Sequence, residues 1–313
     1  MRPWEQAWDE ALHGERGFYR SIEGPAGHFA TSCHGAVGAA FAEAVVALAR
    51  REGLRTIVDV GAGRGELLGR VAALVTKPGW RFVGVDVVGQ PDGLSDGVEW
   101  RIARGGGAAP ALRDLGPALV VANEWLDVVP CGIAQVDGSG EPREVLVDGS
   151  GRESLGGALE PADRAWVDRW WPVAGGVEGE RLEVGRARDE ALESLLAQVD
   201  SGLVVAIDYG HLAGGRPDGG SLTGYRAGRQ VAPVPDGSGD ITAHVAMDSL
   251  PHDRLVRQRD ALGELGIRGE RAADDLAVRD PAGYLAALQR NSAVSELCGP
   301  GLGDFWWAVT RLG

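Results

Sequence analysis

Lysine is almost absent from this chain of 313 residues: Lys77 is the single one among 31 basic residues. Asparagine occurs only at Asn123 and Asn291, and cysteine only at Cys33, Cys131 and Cys298. The cysteines are far apart and form no C-x-x-C pair, which argues against a disulfide framework and a zinc site. Positive charge is scarce. Asp and Glu total 45, and the net charge is −14. That balance argues against a protein that coats nucleic acid or anionic membrane. No apolar run reaches the 18 or so residues of a membrane span. The start, MRPWEQAWDEALHGERG, lacks the apolar stretch of a signal peptide, so a cytoplasmic location is the expectation. What is present, 44% hydrophobic and 24% charged residues, describes a core-forming globular chain. The preference for Arg over Lys says nothing about function.

Patterning places the elements. Residues 35–52 carry apolar residues at helical spacing, and TIVDV (56–60) reads as a buried strand. A glycine cluster follows at once, then a helix over 66–75. Further strands are expected at 81–88, 98–103, from 118, and at 202–210. A late strand in 304–312 is expected to pair antiparallel at the sheet edge. Strands alternating with helices imply an α/β fold with a mostly parallel sheet covered on both faces. The segment between the fourth and fifth strands far exceeds an ordinary loop. It should contain a hairpin (133–138 with 144–149) and helices at 161–171 and 186–199. The glycine-rich stretch 211–240 should be mostly loop. The domain organisation expected is an N-terminal substrate-side segment, 1–34, and a Rossmann-like domain, 35–313. Within the latter, an insertion at about 131–190 would form a lid or substrate subdomain.

The sharpest chemical signal is Asp59-Val60-Gly61-Ala62-Gly63-Arg64-Gly65-Glu66. It lies between a strand and a helix, where glycine permits positive φ and brings backbone N–H groups close to a ligand. Dinucleotide sites usually show G-x-G-x-x-G with a pyrophosphate on the helix N-terminus. Here the spacing is G-x-G-x-G. Asp59 also adds negative charge where a pyrophosphate would sit. A ligand with a cationic amino-acid end, such as S-adenosylmethionine, suits it better. The Lys-Ser/Thr ending of a phosphate-binding loop is missing. Asp86, ending the second strand, is placed to accept hydrogen bonds from a ribose.

Two more strand ends are polar: Asn123-Glu124-Trp125-Leu126-Asp127 and Asp208-Tyr209-Gly210. Open α/β sheets bind ligands outside the carboxyl ends of their strands, so four polar ends on one edge mark a site. Simpler roles exist for each residue: a turn cap for Asn123, helix N-terminal charges for Glu124 and Asp127, core packing for Trp125.

The segments VDVGAGRGELL, ANEWLDVVP, AIDYG, LTGYRAGRQ and GDITAHVAMDSL resemble the MidA-like family of S-adenosylmethionine-dependent methyltransferases (the Methyltransf_28 or DUF185 group). GFYR (17–20), GHFATS (27–32) and QRDALGELGI (258–267) extend the resemblance over nearly the whole chain. It implies a class I methyltransferase fold, Rossmann-like and seven-stranded, with the last strand antiparallel. It implies S-adenosyl-L-methionine as cofactor, its amino-acid end held by Gly61, Gly63 and Gly65 and its ribose by Asp86. Asn123, Glu124 and Asp127 would line the reacting end. The family's eukaryotic branch is associated with arginine methylation during respiratory complex I assembly. This chain departs from the family at His28, at Thr31-Ser32-Cys33-His34 in place of Thr-Ser-Pro-Glu, and at Trp125-Leu126.

Methyl transfer to arginine needs a clamp for the guanidinium, which paired carboxylates provide. Glu124 and Asp127, three apart, would share the face of a first helical turn. They and Asn123 are the catalytic candidates, and Asn123 also serves as a cofactor contact beside Asp59 and Asp86. Tyr225 and His244 are candidates for a supporting or general-base role. No metal site is expected. The acceptor is a protein or a small molecule, and homodimerisation stays open. The competing readings are a nicotinamide oxidoreductase and a non-catalytic cofactor-binding assembly factor.

Overall fold

The computed structural model describes residues 1–20, 33, 35–173, 176–270, 273 and 275–313. GHFATS, His28, Thr31, Ser32 and His34 therefore lie outside the described residues. Seven strands form the central sheet: β1 (Thr56–Val60), β2 (Arg81–Asp86), β3 (Val98–Ile102), β4 (Ala118–Asn123), β5 (Gly202–Asp208), β6 (Arg254–Arg257) and β7 (Trp306–Leu312). Their order is β6-β7-β5-β4-β1-β2-β3. Strands β1 to β5 pair in parallel, and β7 runs antiparallel to both β5 and β6. This is the class I, Rossmann-like arrangement expected from the resemblance.

The eight helices among the described residues are α1 (Trp4–His13), α2 (Gly35–Arg51), α3 (Glu66–Leu74), α4 (Pro161–Trp170), α5 (Arg186–Leu196), α6 (Gln258–Glu264), α7 (Leu276–Arg279) and α8 (Pro281–Cys298). None of them is long and apolar enough to cross a membrane.

Period-two alternation in the strands builds two cores. Ile57, Leu119, Val121, Val205 and Ile207 face α2, α3, α6 and α8. Val58, Val60, Val83, Val85, Val120 and Ala206 face the other way, onto Ala191, Leu192 and Leu195 of α5. Helix α5 is thus a cover of the sheet rather than part of an independent lobe. Burying each such aliphatic side chain contributes about 1.5–3 kcal/mol relative to exposure.

The segment between β4 and α5 folds as its own antiparallel sheet. Strands Gly132–Val136 and Pro142–Val147 form the expected hairpin, flanked by Arg181–Val184 and Glu153–Ala158. The N-terminal pair Arg2–Pro3 joins it. Helix α1 then packs between this sheet and the rest, with Trp4 and Trp8 fully buried. Their indole N–H groups donate to the Glu153 carboxylate (2.6 Å) and the Ile241 carbonyl (2.9 Å).

Two expectations are corrected. The late strand β7 is not at the edge; β6 takes that place. The 211–240 stretch is mostly loop, as expected, with short strands inside it: Thr223–Arg226 pairs with Arg229–Val231 and with Asp240–Thr242. No helix follows β4. Glu124 has φ +51°, a left-handed turn that helical geometry cannot continue. The N–H groups of Leu126 and Asp127 go to the Asp208 carboxylate (3.0 and 3.1 Å), so Glu124 and Asp127 share a turn rather than a helical face.

Candidate active site

The carboxyl ends of β1, β2 and β4 open into one cavity of about 760 Å³, large enough for a cofactor and an acceptor group. It lies at the switch point of the sheet, between β1 and β4, whose crossovers lead to β2 on one side and to β5 on the other. Asp59, Gly61, Gly63, Asp86, Asn123, Glu124 and Asp127 all line it. Gly65 and Asp208 do not.

The glycine turn is shaped by its backbone. Gly61, Gly63 and Gly65 have φ of +75°, +59° and +75°, values that L side chains adopt at a cost of about 1–2 kcal/mol. A Cβ at Gly61 would meet Trp125 at 3.3 Å, and one at Gly63 the Glu66 carboxylate at 3.2 Å. Gly65 caps α3, and a Cβ there would strike Leu94 at 2.8 Å. Its role is in the strand–helix junction. The Asp86 carboxylate accepts from the N–H groups of Gly63 (2.8 Å), Val87 (2.7 Å) and Val88 (3.3 Å). It thereby ties the glycine turn to the end of β2.

The cavity is strongly acidic in its depth. Burial pushes the Asp59 carboxyl up to about 8, and the neighbouring Asp86 and Glu66 add to the shift. Burial raises Asp86 as well, against the three N–H groups that favour its charge. A bound cation would relieve this stored repulsion. Glycines that leave room for backbone contact, beside acids that favour a cation, fit a ligand with a positively charged amino-acid end.

A second acidic group stands on the wall of the same cavity. Asp127 is buried and accepts hydrogen bonds on Oδ2 from the Tyr209 hydroxyl and from Thr242 Oγ1 (2.7 Å). Among the described residues its buried Oδ1 has no hydrogen-bond partner. Asp240, also buried, accepts from the Tyr19 hydroxyl (2.9 Å). Burial and the nearby Asp127 push it up to about 8. Tyr19, Tyr209, Tyr225 and Thr242 line the cavity around the two acids. Arg188, 1% exposed, fixes the Asp127 loop from behind. Its guanidinium donates to the carbonyls of Asp127 (2.8 Å), Val129 (3.1 Å) and His244 (2.8 Å).

Asn123 donates to Glu124 Oε1 (3.0 Å), and its amide lies 3.8 Å from Cys33 Sγ. Trp125 lines the cavity over Gly61. Tyr225 lines it too, whereas His244 is exposed and meets the Tyr209 ring (5.4 Å between centroids) and the His211 ring (6.2 Å). Asp208 accepts from the backbone of Leu126, Asp127 and Tyr209 and so shapes the turn from below. Sequence reasoning quoted GFYR, AIDYG and GDITAHV without giving a role to Tyr19, Tyr209, Asp240 or Thr242. The signal was there: buried-type acids and hydroxyls inside otherwise apolar segments.

A glycine turn, an acid at the next strand end and an acid-lined crevice at the switch point define a class I cofactor-binding transferase. The chain belongs to the Methyltransf_28 family of S-adenosyl-L-methionine-dependent methyltransferases, whose model matches residues 90–252, just over half of the chain. It is therefore an S-adenosyl-L-methionine-dependent enzyme and not a nicotinamide oxidoreductase. Two crystal structures from Burkholderia thailandensis share its fold. One, a protein bound to S-adenosyl-homocysteine, is 22% identical with a TM-score of 0.73, covering 99% of this chain and 87% of that one. The other, a native structure of the same superfamily, is 22% identical with a TM-score of 0.72 and the same coverage. No curated protein matches the chain.

Proposed function

We propose that the chain transfers a methyl group to a guanidinium nitrogen of a protein arginine. The observation that carries this reading is the pair of buried carboxylates, Asp127 and Asp240, on the wall of the cavity that holds the glycine turn. A cationic planar acceptor satisfies both, because its fork of donors matches carboxylates and its charge offsets their repulsion. Tyr19, Tyr209 and Tyr225 supply π faces that favour a cation further. Glu124, turned at the end of β4, is the third carboxylate of the clamp.

Asp59, Gly61, Gly63, Asp86 and Asn123 would hold the cofactor: the turn and Asp59 its amino-acid end, Asp86 its ribose. Gly65 acts through the shape of the turn. The S-adenosyl-homocysteine in the Burkholderia relative supports this assignment. When bound, S-adenosylmethionine supplies an electrophilic methyl on a sulfonium. Asn123 and Glu124 orient the acceptor nitrogen in line with it, and positioning is the larger part of catalysis in such a displacement. As the N–C bond forms and the C–S bond breaks, positive charge passes to the acceptor, which then sheds a proton. Asp127, a residue of the cavity wall whose carboxylate the Tyr209 and Thr242 hydroxyls orient through Oδ2, is the group to take it. Residues 1–34 act on the substrate side, a role supported by Tyr19 in the cavity wall, and the insertion at about 131–190 serves as lid or substrate subdomain.

Labelled-methyl transfer into protein and metabolite fractions tests the reading. Label is expected on protein arginine. Label confined to metabolites would replace it with a small-molecule methyltransferase.

A further inference from the structure

The outer wall of the cavity is a three-stranded antiparallel sheet, in the order Arg229–Val231, Thr223–Arg226, Asp240–Thr242. Asp240 and Thr242 of its inner strand and Tyr225 of its middle strand line the cavity. The register sets Tyr225 between Asp240 on one side and Gln230 on the other. The third strand has no neighbour on its far side among the described residues, and Arg229, Gln230 and Val231 are all exposed. The row that starts at Asp240 and passes through Tyr225 thus ends at an open edge.

The turn decides what that edge offers. Ala227 and Gly228 have φ of +48° and +74°, the pair of left-handed residues that closes a two-residue hairpin. Arg226 and Arg229 face each other across it. In such a hairpin the closing pair is hydrogen-bonded and the next pair is not. Gln230, in the next pair, therefore turns its backbone N–H and C=O outward, away from Tyr225. Its side chain is occupied, donating to Thr223 Oγ1 (3.1 Å). An outward N–H and C=O on an exposed edge are a template for an added strand. The charge at the tip selects that strand. Two arginines directly opposite each other repel. Arg226 has Asp236 at 3.7 Å and Ser238 as a hydrogen-bond partner. The Arg229 guanidinium has no ion-pair partner among the described residues. In a chain of net charge −14, the tip is a local positive patch beside the cavity.

We propose that the acceptor protein docks by adding an extended, acidic segment to the Arg229–Val231 edge, with the arginine to be methylated close to the residue that pairs with Gln230. The proposal rests on the acceptor reading made above. Only the Arg229–Val231 strand separates the added segment from Tyr225, about 10 Å between backbones. An arginine side chain leaning across Gln230 spans most of that distance and meets the Tyr225 ring, beyond which Asp240 lies. Carboxylates flanking that arginine answer Arg226 and Arg229 at the tip.

The test measures methyl transfer by the full chain from labelled S-adenosylmethionine to acetyl-Glu-Asp-Gly-Arg-Gly-Glu-Asp-amide, to the same peptide with Lys in place of each acid, and to acetyl-arginine-amide, which has no chain to pair. The acidic peptide is expected to show a KM at least about tenfold below that of the basic one. Gln230→Pro takes away the outward N–H and suits an edge position. It should raise KM for the acidic peptide by about tenfold and leave kcat, and the kinetics with acetyl-arginine-amide, unchanged. Gln230→Ala keeps the N–H and should leave KM within about twofold of wild type. Arg229→Glu should erase the preference for the acidic peptide. Circular dichroism checks the fold of each variant. Equal wild-type KM for the two peptides, an unchanged KM in Gln230→Pro, equal damage by Gln230→Ala, or equal damage to acetyl-arginine-amide would each overturn the proposal. No transfer by the wild type to any of these acceptors would overturn the acceptor reading itself, and the docking with it.

Discussion

The Tyr209 hydroxyl donates to Asp127 Oδ2, the same oxygen that takes Thr242 Oγ1 at 2.7 Å, and Oδ1 has no hydrogen-bond partner among the described residues. The two hydroxyls orient the carboxylate and lower the cost of charging it in a buried place. Tyr209→Phe should therefore reduce kcat by about 10–100-fold, the loss of one hydrogen bond to a charged group. Affinity for S-adenosyl-homocysteine should stay within about twofold of wild type, since Tyr209 belongs to the acceptor side. Steady-state kinetics with calorimetry separates the two quantities. A fall in cofactor affinity to match the fall in kcat would place Tyr209 elsewhere in the mechanism.

Burial and neighbouring acids push the Asp59 and Asp240 carboxyls up to about 8, far above the usual aspartate value. Between pH 4 and pH 8 the folded state binds more protons than the unfolded one at these positions. Stability from this source is fully present below pH 4 and falls as pH rises through that window. The melting temperature of the ligand-free protein should decline from pH 5 to pH 8, and Asp59→Asn should flatten the decline. Binding a cationic cofactor beside Asp59 should expel its proton. Calorimetry at pH 7 in buffers of different ionisation enthalpy should register proton release, and affinity for S-adenosylmethionine should rise from pH 6 to pH 8.

Arg188 is buried and serves three carbonyls. Arg188→Leu takes the guanidinium away from all three carbonyls, of which that of Asp127 keeps the Ala243 N–H (3.3 Å). The cost should be about 3 kcal/mol or more, read as a shift in the urea midpoint. Because the Asp127 carbonyl is among them, methyl transfer should fall even at temperatures where the variant is folded.

The parallel strands were legible because TIVDV and ALVVA are short β-branched runs closed by glycine or polar residues, a local signal of burial on both faces. Strand β6 was not. RLVR is four residues long, half exposed, and runs straight into α6. The interior position of β7 is a property of chain topology, which no local pattern carries. Glycine density disguised the strands at 223–231, since glycine signals loops more often than sheets. Helix α8 escaped because its apolar residues wrap all sides, with Leu285 and Leu288 exposed. In the cavity, the residues at strand ends were readable from their spacing. Tyr19 and Asp240 come together only through the packing of α1 against the 223–242 sheet, a relation between residues 221 positions apart.

The Glu124 side chain faces the cavity from a backbone held at φ +51°, so its carboxylate is directed by the fold rather than by a flexible loop. Glu124→Gln preserves the shape and removes the charge. The most direct test of the account follows methyl label from S-adenosylmethionine into a proteome, with wild type and Glu124→Gln compared at equal S-adenosyl-homocysteine binding. The account predicts label on arginine with the wild type and none with the variant, and undiminished arginine labelling by Glu124→Gln would contradict it.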